Sequence, residues 1–384
     1  MPLTKIYTEL NRWEFKFSPF EKKLKELISM TFDNRTDTYK EITRQQNSWK
    51  VALESLEKKR NSLRMLLEKY RKYTWIFSGC GTSYYLSQTG SFLFEHITGI
   101  KTKAVPASDI LMFPENVFNS SEKNILIPIS RSGTTTEIVK AAQLTRTRFN
   151  IPTLAVSCDP ESTMIKESDL SLTFPFEKED SVIMTGSFTT MLMSIMCIAS
   201  LVNEEYVAIP DLKKLADLSA GIVDEYESTL KSISFDNSLT DFVFLGQGPF
   251  YGIANEAALK MQEMSISNSQ SFHALEYRHG PMSTANEHTL ITILCSETGE
   301  AYERVLISDL KKLGARILVF RSKAKNIEPK LADFLITNVN SFGDLLNPII
   351  YTPLLQLLGY YRALAKNINP DNPKNLSAVV KLKM

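Results

Sequence analysis

Short apolar runs recur along the chain between residues 73 and 322. Each is closed by a polar or glycine-containing turn and followed by a stretch with helical spacing of apolar residues. The first run, Thr74–Trp75–Ile76–Phe77, ends in Ser78–Gly79–Cys80–Gly81–Thr82–Ser83. The second, Asn124 to Ile129, ends in Ser130–Arg131–Ser132–Gly133–Thr134–Thr135–Thr136–Glu137, and the third spans Thr153 to Ser157. A strand buried on both sides has no polar face to alternate with, so continuous apolar strands between helices predict a parallel sheet covered on both faces. The series then starts again: Asp241 to Leu245 before Gly246–Gln247–Gly248–Pro249, Leu290 to Cys295 before Ser296–Glu297–Thr298–Gly299–Glu300, and Arg316 to Phe320. Gly79 and Ser130 lie 51 residues apart and Gly246 and Ser296 lie 50 apart; the next intervals, to Ser157 and to Ser322, are 27 and 26. The matching intervals predict an α/β chain of two tandem doubly wound parallel-sheet domains, one unit duplicated, with a helical N-terminal extension. The predicted segments are 1–40 for the extension, 41–215 and 216–350 for the two domains, and 351–384 for a C-terminal helix and tail. The join falls near 205–225, where Pro210 precedes a new helical stretch. Ahead of the first strand, Phe20–Leu27 and Ser48–Tyr70 carry helical spacing.

Composition narrows the function classes. The 384 residues are 43% hydrophobic and 23% charged, enough apolar material for a core in each domain. Lys plus Arg number 44 against 43 Asp plus Glu, a formal net charge of +1, too small to draw the chain to nucleic acid or to an anionic membrane. Cys80, Cys158, Cys197 and Cys295 form no CxxC pair and read as reduced thiols in apolar surroundings. The apolar run Thr189–Val202 is too short to cross a bilayer, which takes ~20 residues. The segment Met1–Pro2–Leu3–Thr4 opens no secretory signal, and a cytoplasmic location is the expectation.

The loop after the second strand predicts an anion site. Gly133 permits a sharp turn, and the N–H groups of the following helix start carry partial positive charge. Ser130, Ser132, Thr134, Thr135 and Thr136 supply hydroxyls and Arg131 a guanidinium, a donor set matched to phosphate. An ordinary helix N-cap needs one hydroxyl, and this cluster exceeds that. The corresponding loop of the second unit carries Glu297 in place of Arg131 and Glu300 in place of Thr134, and two carboxylates repel phosphate. The anion site is therefore expected in the first unit only. Ser78–Ser83 is not a GxGxxG fingerprint, since Tyr84 stands at the last position. The Thr82 and Ser83 hydroxyls suit sugar or phosphate oxygens, and a plain strand-to-helix turn accounts for them equally well.

A second segment carries ionisable groups. From about Ala254 a helix is predicted, on which Glu256, Lys260 and Glu263 fall on one face. Alone, Glu256 and Lys260 read as a surface ion pair. The sequence that follows, Ser269 to Pro281, gathers polar and aromatic residues in a loop ending His279–Gly280–Pro281. Moving a proton between adjacent sugar carbons needs a carboxylate base, and opening a sugar ring needs a group titrating near neutrality, which suits histidine. Neither step requires a metal or a cofactor, and His-Glu-x-x-His and His-x-x-x-His spacings are absent.

With Cys80–Gly81–Thr82–Ser83, Ser130-x-Ser132–Gly133-x-Thr135, Asn255–Glu256-x-Ala258–Leu259–Lys260-x-x-Glu263 and His279–Gly280–Pro281 in this order, the chain resembles the tandem sugar isomerase (SIS) domain family over residues 40–384. Within it, the pattern is similar to the tagatose-6-phosphate ketose/aldose isomerases and to the isomerase half of glucosamine-6-phosphate synthases. The resemblance implies that Ser130, Ser132 and Thr135, with Thr82 and Ser83 nearby, bind the anionic end of the sugar, and Arg131, a departure from the synthases, is expected to add a charged contact to the anion. It implies that Glu263 shuttles the proton, that His279 opens the ring, and that Glu256 and Lys260 line the site as catalytic residues. It further implies that the histidine loop is contributed across a homodimer, or larger homo-oligomer, interface. The tail Asn369–Val380, with Asn372–Pro373–Lys374–Asn375–Leu376, is similar to the synthase C-terminus, but Ala378 stands where the synthases carry a lysine; Lys381 follows three residues later. Arg131 stands where the synthases have glutamine. The stretches Val182–Thr190 and Tyr277–Pro281 lean to the ketose/aldose isomerase branch. No glutaminase domain or N-terminal nucleophilic cysteine is in the sequence, so amination by glutamine is not expected.

The expected function is an aldose–ketose isomerase of a sugar with an anionic group, phosphate first, at C6, acting through an enediol. Three alternatives stand beside it. One is an amino-sugar-6-phosphate deaminase/isomerase, the second an isomerase of a 6-sulfo sugar, and the third a non-catalytic phosphosugar sensor. The sensor reading leaves Glu263 and His279 without a purpose, and residues 1–72 show no helix-turn-helix signal.

Overall fold

The computed structural model describes residues 36–118, 121–322, 331–338 and 342–381. The predicted helix Phe20–Leu27 lies outside the described residues. Among the described residues three helices come first, α1 (Asp37–Thr43), α2 (Gln45–Lys58) and α3 (Arg60–Lys69). The stretch predicted as one helix over 48–70 is thus two, broken at Lys59.

The apolar runs form parallel strands. The first unit runs β1 (Thr74–Gly79), α4 (Thr82–Thr98), β2 (Thr102–Pro106), β3 (Asn124–Ser130), α5 (Thr136–Phe149), β4 (Leu154–Ser157), β5 (Leu170–Thr173) and α6 (Gly186–Ser200). The long helix α7 (Ile209–Ser234) leads into the second unit. There the order is β6 (Asp241–Gly246), α8 (Pro249–Ser265), β7 (Asn268–His273), β8 (Thr289–Leu294), α9 (Glu300–Lys312), β9 (Arg316–Ser322), β10 (Phe334–Asn338) and α10 (Gly343–Ala365). The first sheet has the order β2-β1-β3-β4-β5. The second, read from its β7 edge, is β7-β6-β8-β9-β10, the same order in the same sense. Every pairing is parallel.

Alternation along the strands divides the core. Trp75 and Phe77 of β1 and Phe242 and Phe244 of β6 face one shared apolar cluster with α4, α6, α8 and α10. Ile76, between Trp75 and Phe77, faces a separate cluster outside the first sheet. Val243 and Leu245 face the outer cluster of the second sheet. The two units therefore meet through helices. A Cβ on Gly252 of α8 would lie 2.6 Å from the Tyr85 carbonyl of α4. No residue but glycine allows α8 and α4 to approach this closely. Thr89 Oγ1 of α4 donates to the Pro249 carbonyl at 3.0 Å across the same contact.

Several expectations shift. Helix α8 begins at Pro249, not near Ala254; proline at N1 costs no hydrogen bond because that N–H has no helical partner. The polar stretch after α8 is an edge strand, β7, rather than a loop. The segment boundary at 215/216 falls inside α7, and that at 350/351 inside α10. Both helices serve the shared core as continuous pieces, and composition does not change within them. Among the described residues no helix is long and apolar enough to cross a membrane; α6, the predicted short apolar run, is buried along its whole length.

Candidate active site

Strands β1 and β3 are neighbours, and the chain leaves them toward opposite edges of the sheet. Such a switch point opens a crevice at the carboxyl ends of the strands. The two polar loops meet there around a cavity of about 200 Å³. Cys80, Thr82 and Ser83 line it from the first loop, and Ser130, Arg131, Ser132 and Thr135 from the second. Glu263, from α8 of the second unit, lines the same cavity. Val182, Met184 and the tail residues Leu376–Ala378 and Val380 complete the wall.

The second loop turns at Gly133, whose φ is +58°. A Cβ there would come within 2.1 Å of Ser162 Oγ, so both conformation and space demand glycine. Ser130 Oγ accepts from the Gly133 N–H at 3.1 Å, and Ser132 Oγ accepts from the Thr134 N–H at 3.3 Å. These bonds shape the loop. Thr135 is the N-cap of α5 but makes no side-chain capping bond, and the N-cap of α4 is Gly81, which has no side chain to cap with. The hydroxyls of Thr135, Thr82 and Ser83 are thus not consumed as caps and border the cavity instead. Cys80 also borders it. Burial pushes its thiol up to about 12, so it stays protonated.

Helical spacing brings Glu256, Lys260 and Glu263 together as predicted. Lys260 Nζ lies 3.2 Å from Glu256 Oε1 and 2.5 Å from Glu263 Oε2, and donates to Thr82 Oγ1 at 2.9 Å. The lysine thereby joins the second unit's helix to the first unit's loop. Depth separates the three. Glu256 and Lys260 side chains are 1% and 0% exposed, against 17% for Glu263, and of the three only Glu263 lines the cavity. Glu256 and Lys260 face inward on α8, and Lys260 ties Glu256 to Glu263 and Thr82 behind the cavity wall. Burial pushes the Glu256 carboxyl up to about 8. Burial would lower Lys260, but the Glu256 and Glu263 carboxyl groups outweigh it and hold the ammonium above its ordinary value.

Arg131 lies at the rim, and its guanidinium is engaged. It donates to Glu179 Oε2 at 2.9 Å and to the carbonyls of Val182, Ile183 and Ala378 at 3.0, 3.1 and 3.4 Å. His279 is exposed and does not border the cavity within this one chain. Its loop is pinned by Arg278, which donates to Asp309 Oδ2 at 2.7 Å. Glu179 escaped the sequence reading. It sits in the run Glu177–Lys178–Glu179–Asp180, which has the composition of a solvated surface, yet its side chain is 0% exposed. The tail residues come from more than 100 positions beyond Glu263, and only the likeness of the tail to the synthases pointed to them.

Comparison with known proteins agrees with this architecture. A model of the SIS domain matches residues 70–201. Glucosamine-6-phosphate deaminase from Thermotoga maritima superposes with a TM-score of 0.74 and 30% identity, covering 90% of this chain and 100% of that one. Tagatose-6-phosphate ketose/aldose isomerase from Escherichia coli superposes with a TM-score of 0.82 and 22% identity, covering 92% and 99%. The glutamine–fructose-6-phosphate aminotransferase (isomerizing) of Haemophilus influenzae is 28% identical over 334 residues, 83% of this chain and 53% of the relative. The chain spans about half the length of the curated relatives it matches.

Proposed function

The chain belongs to the SIS domain family, and on that premise we propose that it is an aldose–ketose isomerase of a 6-phosphosugar. The observation that carries the reading is one cavity lined both by the hydroxyl-rich loop of the first unit and by a carboxylate of the second. Ser130, Ser132 and Thr135, with Thr82 and Ser83, hold the phosphate and orient the open-chain sugar. Glu263 takes the proton from the hydroxyl-bearing carbon beside the carbonyl carbon and, through an enediol, returns it to the former carbonyl carbon, while a proton passes from the oxygen of the one to the oxygen of the other. Lys260, ion-paired to Glu263 and bonded to Thr82, fixes the base relative to the phosphate cradle. Glu256, whose carboxyl burial pushes up, lies 3.2 Å from Lys260 Nζ on the side away from the cavity and holds the lysine in place. His279 opens the ring. Because it is exposed and outside this chain's cavity, it acts on the cavity of a second copy, and the working form is a homodimer.

A second reading is favoured by one finding. The relative with 30% identity over its whole length is a glucosamine-6-phosphate deaminase. The same carboxylate and the same proton transfer turn a substrate with an amino group at C2 into the C2 imine of the ketose, and water then hydrolyses the imine to ketose and ammonia.

The test is a panel of hexose, amino-hexose and sulfo-hexose 6-derivatives, followed for ketose formation and for ammonia together. Ketose from a neutral hexose 6-phosphate supports the first reading. Ammonia from an amino-hexose 6-phosphate alone supports the second, and binding of the panel without turnover would leave a sensor.

A further inference from the structure

Arg131 is the one guanidinium lining the cavity among the described residues, and proximity alone would make it the anion's counter-ion. Its surroundings argue otherwise. Glu179, its partner, is saturated: Oε1 accepts from the Thr185 N–H at 2.8 Å, Thr185 Oγ1 at 3.2 Å and the Ser187 N–H at 2.9 Å. Oε2 accepts from Ser187 Oγ at 2.7 Å and from Arg131 at 2.9 Å. The carboxylate is 0% exposed and the guanidinium side chain 17%. If Arg131 swung to a ligand, it would strand a buried charge, which is strongly unfavourable. The backbone of Arg131 is fixed too. Its carbonyl accepts from the Cys158 N–H at 3.1 Å and from Ser157 Oγ at 3.1 Å.

We propose that Glu179 is a positioning residue for anion binding, acting through Arg131. Together they bolt the wall segment 179–187 and the tail at Ala378 against the loop that holds the anion, and the guanidinium is not the anion's counter-ion. The acceptors of Arg131 are the carbonyls of Val182, Ile183 and Ala378, and Val182 and Ala378 are cavity residues. Ser130 and Ser132 flank Arg131 in the chain, so the same bolt fixes the direction of the two serines. The anion is then held by hydroxyls and N–H groups whose placement depends on a carboxylate that does not touch it.

The two roles for Arg131 give opposite signs for one substitution. Glu179→Gln loosens a bolt, but it would free a counter-ion. The readouts are the dissociation constant of inorganic phosphate and, with a substrate from the panel, kcat and KM. The bolt predicts that Glu179→Gln weakens phosphate about tenfold and raises KM while kcat stays within about threefold; tenfold corresponds to about 1.4 kcal/mol. Tighter phosphate binding in Glu179→Gln would overturn the proposal. Arg131→Lys keeps the charge and loses the four-acceptor fork. The bolt predicts that it binds phosphate no better than Arg131→Met, and retention of wild-type affinity by the lysine variant would also overturn it. The double variant Arg131→Met/Glu179→Met removes both buried charges, and should bind phosphate better than Arg131→Met alone. A double variant that binds phosphate more weakly than Arg131→Met alone would mean that Glu179 acts otherwise than through the arginine, and would overturn the proposal. The proposal rests on the cavity being the anion site. Wild-type protein that ignores phosphate would sink that site and the bolt together, whereas wild-type binding with a tighter Glu179→Gln would sink the bolt alone.

Discussion

The two units present the same strand end in two states. In the first, Ser130 Oγ accepts from the Gly133 N–H at 3.1 Å; in the second, Ser296 Oγ accepts from the Gly299 N–H at 2.8 Å. From there they part. Gly133 has φ +58° and the chain runs on through Thr134 and Thr135 before α5 begins. Gly299 has φ −92° and α9 begins at the next residue. The second residue of the helix after the last strand differs as well. It is Ser187 in α6 and Asp344 in α10. Asp344 accepts from the N–H groups of Glu297 and Thr298 at 2.7 and 3.3 Å and from Thr298 Oγ1 at 3.2 Å. The second loop thus already holds a carboxylate, one supplied by its own chain. The corresponding residues of the first loop, Arg131 and Ser132, line a cavity, and Ser187 turns its hydroxyl to Glu179. The comparison teaches that this strand end receives a carboxylate in the second unit, and that the first unit has a serine at the helix position from which that carboxylate comes. The carboxylates read from the sequence as repelling phosphate, Glu297 and Glu300, are joined by a third that fills the place.

The largest effect separates chemistry from binding. Glu263→Gln should lower kcat about 1,000-fold, since it removes a proton-transferring group, while inorganic phosphate still binds at near wild-type strength. Unchanged kcat would take Glu263 out of the reaction. Next comes the turn that distinguishes the loops. Gly133→Ala places a Cβ against Ser162 in a left-handed conformation, and should weaken phosphate at least about tenfold, given a strain of ~1–3 kcal/mol. Wild-type phosphate affinity in that variant would show that the loop does not carry the anion.

Smaller still is the effect at the filled loop. Asp344→Ala leaves the Glu297 and Thr298 N–H groups without their acceptor and should cost about 2 kcal/mol in urea unfolding; Asp344→Asn, which keeps an acceptor, should cost less. Phosphate affinity at the first unit should not change in either. Equal losses in the two variants would argue that charge, not acceptance, is what Asp344 supplies.

How much of this was legible in the sequence depends on burial. The central strands β1, β3, β6 and β8 are buried along nearly their whole length and carry continuous apolar runs because both faces are covered, and those runs mark them in the sequence. The edge strands β2 and β7, Thr-Lys-Ala-Val-Pro and Asn-Ser-Gln-Ser-Phe-His, have a solvent side and no such run, and went unread. The loop hydroxyls and Glu263 were visible because they adjoin strand ends or keep helical spacing. Glu179 and Asp344 were not, because each acts on a loop more than 40 residues away, a relation that only the folded sheet creates.

The last prediction puts matching carboxylates against each other. Glu41 of α1 accepts from the Ser181 N–H at 3.1 Å and from the Ser181 hydroxyl, beside the wall of the open site. Glu303 of α9 accepts from the Ser296 N–H at 2.9 Å and Ser296 Oγ at 3.1 Å, in the filled one. Burial dominates in both and pushes each carboxyl up to about 7. In the unfolded chain they titrate near 4.5, so the native state retains protons that the unfolded state has released. Stability from these groups is complete below about pH 4.5 and is lost as pH rises through about 7. The unfolding midpoint should therefore fall between pH 5 and pH 8, and Glu41→Gln and Glu303→Gln, neutral throughout, should each flatten part of that fall. The positions should differ in one respect. Phosphate affinity should change with pH less in Glu41→Gln than in wild type, because Ser181 adjoins the cavity residue Val182, whereas Glu303→Gln should keep the wild-type profile. The same phosphate profile in both variants would mean that the two loops are not set apart as the open and filled forms of one site.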